Sequence, residues 1–153
     1  MPVLKAKRGE FWALQYLWDR TREAITPVME LVPHKAKGAQ ENVKERARDL
    51  AKVWRDRPVF LDTHFLREGG EDEVVAFQAL FEACRLHGVS SVPVDSLNKS
   101  VSHHHAVREA GHADGRGVML RLYLPDFQDP SRMAAAVDGW PGLWGRLLSR
   151  LTC

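Results

Sequence analysis

The chain has 153 residues, of which 44% are hydrophobic and 27% charged, and its formal net charge is +2. This size and composition fit one compact domain and are too apolar for a disordered chain. The basic residues are spread along the chain, whereas nucleic-acid-binding proteins concentrate theirs in one patch, so we do not expect nucleic-acid binding. No run of 18 apolar residues occurs, so we expect no membrane-spanning helix.

The two cysteines favour a reducing compartment. Cys84 lies in a helical pattern and Cys153 is the last residue, so the pair forms neither a disulfide framework nor a zinc motif. The first residues of the chain lack the long apolar stretch of a signal peptide. We therefore expect the protein to be cytoplasmic.

Five short apolar runs predict β-strands. They are continuous rather than alternating in polarity, as expected for parallel strands that are buried on both faces. Their spacing of roughly 25–35 residues corresponds to one βα unit each. The runs extend from Pro2 to Lys7, Ile25 to Val32, Pro58 to Asp62, Val89 to Val94 and Gly117 to Leu124.

The stretches between these runs carry apolar residues at helical spacing, and each stretch predicts a helix. The apolar stripes of the first three helices are, in chain order, Phe11, Leu14 and Trp18; Val43, Ala47, Leu50, Ala51 and Trp54; and Phe77, Leu80, Phe81 and Cys84. A weakly amphipathic fourth helix is predicted at 99–110. Two C-terminal helices are predicted within 131–151, divided by a Gly-Trp-Pro-Gly sequence.

This alternation predicts a single α/β domain over residues 1–153, built from consecutive βα units around a parallel sheet. One architecture that fits is a partial, TIM-like (βα)-barrel of about five units, since a complete barrel needs eight units and typically about 250 residues. The alternative is an open, doubly wound parallel sheet. No GxGxxG or GxxxxGK[ST] motif follows a strand, so nucleotide-binding versions of the open sheet lose support.

In both architectures the binding site lies at the carboxyl ends of the strands, where this sequence places several charged residues. Lys5 and Lys7 lie near the end of the first run, Glu30 lies in the second, Asp62 ends the third, and Arg121 lies in the fifth. A buried charge is costly unless it is paired, so we expect pairs of Lys5 with Glu30 and of Asp62 with Arg121. The five residues either line a pocket for an anionic or hydroxylated ligand or form ion pairs that complete the core.

Other polar residues follow the same strand ends: Thr63, His64, Asp95, Ser96, Asn98, Tyr123 and Asp126. Three consecutive histidines, residues 103–105, lie in the fourth predicted helix. On that helix His105, Glu109 and His112 share one face, and such a set can hold a divalent metal. However, Gly111 weakens the last turn and the segment is not an HExxH motif. We therefore interpret it as a solvated helix face and expect no metal and no cofactor.

Five blocks of the sequence, at 3–11, 25–30, 57–62, 91–95 and 115–122, follow one another in the order seen in a known family. They resemble the "beta protein" family of bacteria and phages, and the resemblance covers roughly residues 2–124. The matching polar positions are Lys5, Lys7, Gly9, Glu10, Glu30, Asp62 and Arg121. The resemblance implies a barrel-like fold. It implies no established reaction, so no catalytic residue and no enzyme class are assigned.

Members of that family are usually around twice as long as this chain. From this difference we expect the fifth strand to leave an open sheet edge, which proteins usually cover. We therefore expect a homo-oligomer, or pairing with a second protein chain.

Two functional hypotheses remain open at this point. In the first, Lys5 and Arg121 hold an anionic ligand, with Glu30 and Asp62 as acid/base or metal-binding carboxylates. In the second, the chain is a non-enzymatic interaction module of a phage-defence or phage-conflict system. It would then dock through its open edge or through its tryptophan-containing C-terminal segment.

Overall fold

The computed structural model of the protein describes residues 1–34, 38–69, 73–129, 131 and 134. Most of the predicted C-terminal helices, and the tryptophans between and within them, lie outside these described residues. The five strands are β1 (Val3–Lys5), β2 (Val28–Glu30), β3 (Val59–Asp62), β4 (Ser91–Asp95) and β5 (Met119–Leu120). Each strand overlaps the apolar run that predicted it.

The α-helices are α1 (Arg8–Gln15), α2 (Asp19–Ala24), α3 (Ala39–Val53), α4 (Glu73–Leu86) and α5 (Val101–Ala113). Two 3₁₀-helices span His64–Gly69 and Leu124–Gln128. The short helix α2 and both 3₁₀-helices were not predicted, because each is too short to show an apolar period. In the described part of the chain, no helix has the length and apolar character needed to cross a membrane.

All five strands are parallel and lie side by side in chain order, β1-β2-β3-β4-β5. A doubly wound sheet reverses its strand order at a switch point, and the order here runs in one direction across the described strands. Helices α1, α3, α4 and α5 contact one another in sequence and share one hydrophobic core, so they form one layer on one face of the sheet. The predicted consecutive βα units in one parallel sheet are confirmed.

The core lies between the sheet and this helix layer. The predicted stripes of α3 and α4 are buried throughout, and Trp54, Phe77 and Phe81 are its largest fully buried side chains. The first predicted stripe is wrong at one position, since Trp18 is 83% exposed. The helix ends earlier than predicted because Arg22 of α2 donates hydrogen bonds to the carbonyl groups of the last turn of α1.

Strand β5 is short and depends on a close approach by α5. It pairs only with Val94 and Asp95, directly after Pro93, which has no N–H to donate to a ladder. Gly111 of α5 accepts a hydrogen bond from the backbone N–H of Gly117 at 3.3 Å. A Cβ atom at Gly111 would lie 2.6 Å from Cγ2 of Val118 and 2.7 Å from the Gly117 oxygen, so only glycine permits this contact.

We predict that Gly111→Ala lowers the free energy of unfolding by about 1–3 kcal/mol, because the added methyl group overlaps backbone and side chain before β5. Gly9→Ala is the matched control, since Gly9 lies in α1 and a Cβ atom there meets nothing within 4 Å. It should leave that free energy unchanged or raise it by up to about 1 kcal/mol. Urea unfolding measures both. Equal effects of the two substitutions would contradict the tight contact between α5 and β5.

Candidate functional site

Strand register brings three charged side chains together at the carboxyl end of the sheet. In the strand register, Lys5 of β1 lies opposite Glu30 of β2, and Glu30 lies opposite Asp62 of β3. Their neighbours Met29 and Leu61 pack into the core on the helix side. Since side chains alternate along a strand, the three charged residues lie on the opposite face of the sheet.

Arg121, directly after β5, joins the two carboxylates. Its Nη1 donates to Oε1 of Glu30 at 2.7 Å and to Oδ2 of Asp62 at 2.6 Å. In a flat sheet β5 would lie about 14 Å from β2, and side chains stand roughly perpendicular to a sheet. The short bond from Arg121 to Glu30 therefore requires the sheet to curve toward this face, as the sheet of a barrel does.

The two carboxylates are almost completely removed from water. Glu30 is 7% and Asp62 3% exposed, whereas the side chain of Arg121 is 25% exposed. Burial disfavours the charged guanidinium, but the hydrogen bonds to Glu30 and Asp62 outweigh it and raise the pKa of Arg121 above its usual value. Arg121 thus carries a permanent positive charge between two carboxylates.

The structure contains one of the two expected ion pairs. Asp62 is bound to Arg121, as predicted. Glu30 is bound to Arg121 as well, and Lys5 instead places its Nζ 5.6 Å from the ring centroid of Phe65. The Lys5–Glu30 prediction is wrong because curvature of the sheet lets one guanidinium reach both acids. Lys7 is exposed, and its side chain makes no hydrogen bond or ion pair within the described residues.

Three rings connect Lys5 to Arg121, and we call Phe65, His64 and Tyr123 the aromatic belt. The ring of His64 lies 5.2 Å from that of Phe65 and 5.5 Å from that of Tyr123, between centroids. Cζ of Arg121 lies 5.2 Å from the Tyr123 centroid. Both ends of the belt therefore contact a cation at a distance typical of cation–π interactions.

Two carboxylates hold the belt in place by accepting hydrogen bonds from backbone N–H groups. Oδ1 of Asp62 accepts from the backbone N–H of His64 at 2.8 Å, which fixes the start of the first 3₁₀-helix. The backbone N–H of Tyr123 donates to Oδ2 of the buried Asp126 at 2.7 Å, at the start of the second 3₁₀-helix. Burial and the charge of Asp62 raise the pKa of Tyr123, so its phenol stays protonated at neutral pH.

A second polar cluster lies at the end of β4. The side chain of Asp95 is fully buried, and its Oδ2 lies 2.7 Å from Nδ1 of His104 on α5. The predicted solvated face is wrong for two of the three histidines, because α5 packs with His103 buried and His104 only 23% exposed. His105 alone is solvated, with a 67% exposed side chain and Nδ1 at 3.5 Å from Glu109.

His103 is buried and makes no side-chain hydrogen bond to any described residue. Its ring packs against Phe77 at 5.2 Å, and neither ring nitrogen has a hydrogen bond in the described part of the protein. Nδ1 lies 3.7 Å from Oε1 of Glu73, which pairs with the buried Lys99. Burial, assisted by the positive charge of Lys99, lowers the pKa of His103 to about 4. His103 is therefore neutral in the folded protein at physiological pH.

The described residues provide neither a reactive thiol nor a set of metal-binding side chains. The thiol of Cys84 is buried in the core, and burial raises its pKa to about 12, so it is an unreactive thiol. Among residues 1–34, 38–69 and 73–129, no group of three or more histidine, cysteine or acidic side chains is arranged to hold a metal ion.

Comparison with known proteins gives one family match. A family model described as "Beta protein" matches residues 1–140, a range that contains the strand-end residues and the aromatic belt. No curated protein and no solved structure matches the chain.

We predict that His103 makes the protein less stable as the pH falls from about 6.5 to about 4. The unfolded state takes up a proton near pH 6.5 and the folded state does not until about pH 4, so the loss approaches about 3 kcal/mol at the lower limit. In urea unfolding across this range, His103→Leu should lose less stability than the wild type. His105→Leu, at the exposed neighbouring position, should match the wild type. Parallel pH profiles for all three proteins would contradict the prediction.

Proposed function

The chain belongs to the Beta protein family, and from the geometry of its strand ends we propose that it binds an anionic ligand between Lys5 and Arg121. The observation that carries this proposal is that Arg121 has hydrogen-bond donors that the two carboxylates do not occupy. Only Nη1 contacts the two carboxylates, and within the described residues Nε and Nη2 make no hydrogen bond. A quarter-exposed guanidinium with free donors can bind an oxygen acceptor that arrives from solvent.

The charge balance at the strand ends supports an anion. Glu30 and Asp62 carry two negative charges, and Arg121 alone leaves the three-residue group net negative. With the exposed Lys5 and Lys7 included, these five residues carry one net positive charge. The acids are already engaged by Arg121, so the cations free to meet a ligand are the lysines and the open side of Arg121.

The aromatic belt supports a ligand with a planar group. Its rings lie between the two cations that would hold the anionic group, and all three residues are partly exposed. Aromatic faces stack on planar groups such as nucleobases, and each such contact contributes about 1–3 kcal/mol. We therefore propose a ligand with a phosphate or carboxylate group next to a planar group.

A second function, that of a non-enzymatic interaction module, is favoured by exposed aromatic side chains on and after α1 and by the exposed edge strand β1. Trp12 of α1 and Tyr16, directly after α1, are 58% and 69% exposed, and their rings lie 5.8 Å apart. Trp18 is 83% exposed, and Val3 of the edge strand β1 is 51% exposed. Exposed aromatic side chains and exposed sheet edges are both typical of protein contacts. The partner in this proposal is a second copy or another chain, as in a phage-defence system.

We predict that AMP and inorganic phosphate raise the midpoint of thermal unfolding of the wild type, with the larger shift for AMP. A ligand at 100 times its dissociation constant stabilises the folded state by about 2.7 kcal/mol. Lys5→Gln should reduce this shift, because Lys5 is exposed and its loss removes a ligand contact without breaking an ion pair of the fold.

Lys44→Gln is the matched control, since Lys44 is an exposed lysine on α3 in the helix layer. It should respond to both ligands as the wild type does. No shift in the wild type, or equal shifts in all three proteins, would contradict ligand binding at the strand ends. A molecular mass in sedimentation that rises with concentration, and falls in Trp12→Ser, would then support the interaction module.

A further inference from the structure

Asp95 and His104 form a contact that the strand-end ligand site does not use. Oδ2 of Asp95 lies 2.7 Å from Nδ1 of His104, and Oδ1 accepts from the backbone N–H of Ser96 at 2.8 Å. The carboxylate is fully buried, and hydrogen bonds occupy both of its oxygens. Asp95 is therefore held in one orientation, directed at the imidazole.

This contact assigns the tautomer of His104. A carboxylate only accepts hydrogen bonds, so the ring proton of neutral His104 lies on Nδ1 and the lone pair lies on Nε2. Nε2 makes no hydrogen bond to a described residue, and it is not among the buried polar atoms that lack a partner. Because the side chain is 23% exposed, this lone pair can be reached from solvent.

The pair lies next to the strand-end site. Asp95 ends β4, and its carbonyl oxygen accepts from the backbone N–H of Arg121 at 2.8 Å. The carboxyl ends of the strands are where parallel α/β folds place their chemistry. An imidazole oriented by a buried carboxylate through Nδ1, with Nε2 open, is the arrangement that removes protons from hydroxyl groups in many enzymes.

We propose that His104 is a proton-accepting group whose Nε2 takes the proton of a hydroxyl group or a water molecule at the end of β4, with Asp95 as its positioning residue. In this step the O–H bond breaks, an N–H bond forms at Nε2, and Asp95 stabilises the resulting imidazolium. The inference rests on the proposed function only for its substrate class, an anionic ligand that carries a hydroxyl group or reacts with water.

The hydrogen bonds around Asp95 and His104 show that the nearby Ser96 hydroxyl group is not the source of that proton. The hydroxyl group of Ser96 donates to Oδ1 of Asn98 at 2.7 Å, so it is not directed at His104. The start of α5 is already fixed by Ser100, whose side chain accepts from the backbone N–H of His103 at 3.2 Å. The contact between Asp95 and His104 is thus not needed to start the helix, and the proton comes from a ligand or water.

The test is the rate at which diethyl pyrocarbonate modifies each histidine of the full chain at pH 8, where ordinary imidazoles are neutral. Peptide fragmentation assigns the modification to His103, His104 or His105. The matched control is His105, on the same helix and 67% exposed against 23% for His104. We expect His104 to react at least as fast as His105 in spite of its lower exposure.

Asp95→Asn gives the second comparison. An asparagine amide donates to Nδ1 and moves the ring proton to Nε2, so the rate at His104 should fall several-fold, because the lone pair on Nε2 is lost. The rate at His105 should not change. A wild-type His104 that reacts tenfold more slowly than His105, or an unchanged rate at His104 in Asp95→Asn, overturns the proposal.

Two further measurements distinguish failure of the His104 proposal from misfolding of the variant and from failure of the proposed ligand. If Asp95→Asn does not fold, long-range proton–nitrogen NMR of the wild type decides: a proton on Nδ1 of His104 supports the proposal, and a proton on Nε2 overturns it. Modification of His104 without added ligand does not depend on anion binding. Failure of AMP and phosphate to stabilise the protein would therefore overturn the proposed ligand and leave these rates as the test of His104.

Discussion

Two carboxylates can be buried side by side at the ends of neighbouring strands only because one guanidinium serves both. Glu30 and Asp62 would each be costly to bury alone, and together they would repel one another. Arg121 reaches them from the opposite edge of the sheet, through bonds of 2.7 and 2.6 Å. The bridge therefore couples charge neutralisation to the curvature of the sheet, and β5, only two residues long, lies next to the residue that forms it.

The curved sheet gives the strand ends two chemically different sides. On the concave side Arg121, Lys5 and the aromatic belt surround a region with free donors and partly exposed rings. On the helix side Asp95 turns toward α5 and orients His104. Because side chains alternate along a strand, residues at adjacent strand ends supply both sides. The hydrogen bond between the backbones of Asp95 and Arg121 fixes the position of these two residues relative to each other.

The sequence contained enough information for the strands, the main helices and one of the two ion pairs. Continuous apolar runs mark strands buried on both faces, and the stripes of α3 and α4 are buried as their spacing predicted. The Asp62–Arg121 pair followed from the cost of two opposite charges in apolar runs. The binding of Glu30 to Arg121 could not be predicted, because it depends on how far the sheet curves, and no local pattern encodes that.

Two further features of the structure, the burial of His103 and the aromatic belt, were not predicted, and only the first has a signal in the sequence. His103 precedes Ala106, Val107 and Ala110 at the spacing of a buried helix face, so its burial was readable from the same periodicity that predicted the helix. The aromatic belt had no such signal, since it combines two residues of the first 3₁₀-helix with Tyr123, and these meet only in the folded chain.

The most direct measurement is a double-mutant cycle on Arg121→Met and Asp62→Asn, with the free energy of unfolding taken from urea titrations. Arg121→Met alone should cost about 3–5 kcal/mol, since it leaves two buried carboxylates unpaired. Combined with Asp62→Asn it should cost less, with a coupling free energy of about 1–3 kcal/mol. Costs that add to within about 0.5 kcal/mol would contradict the central claim, because they would mean that Arg121 and Asp62 contribute to the fold independently.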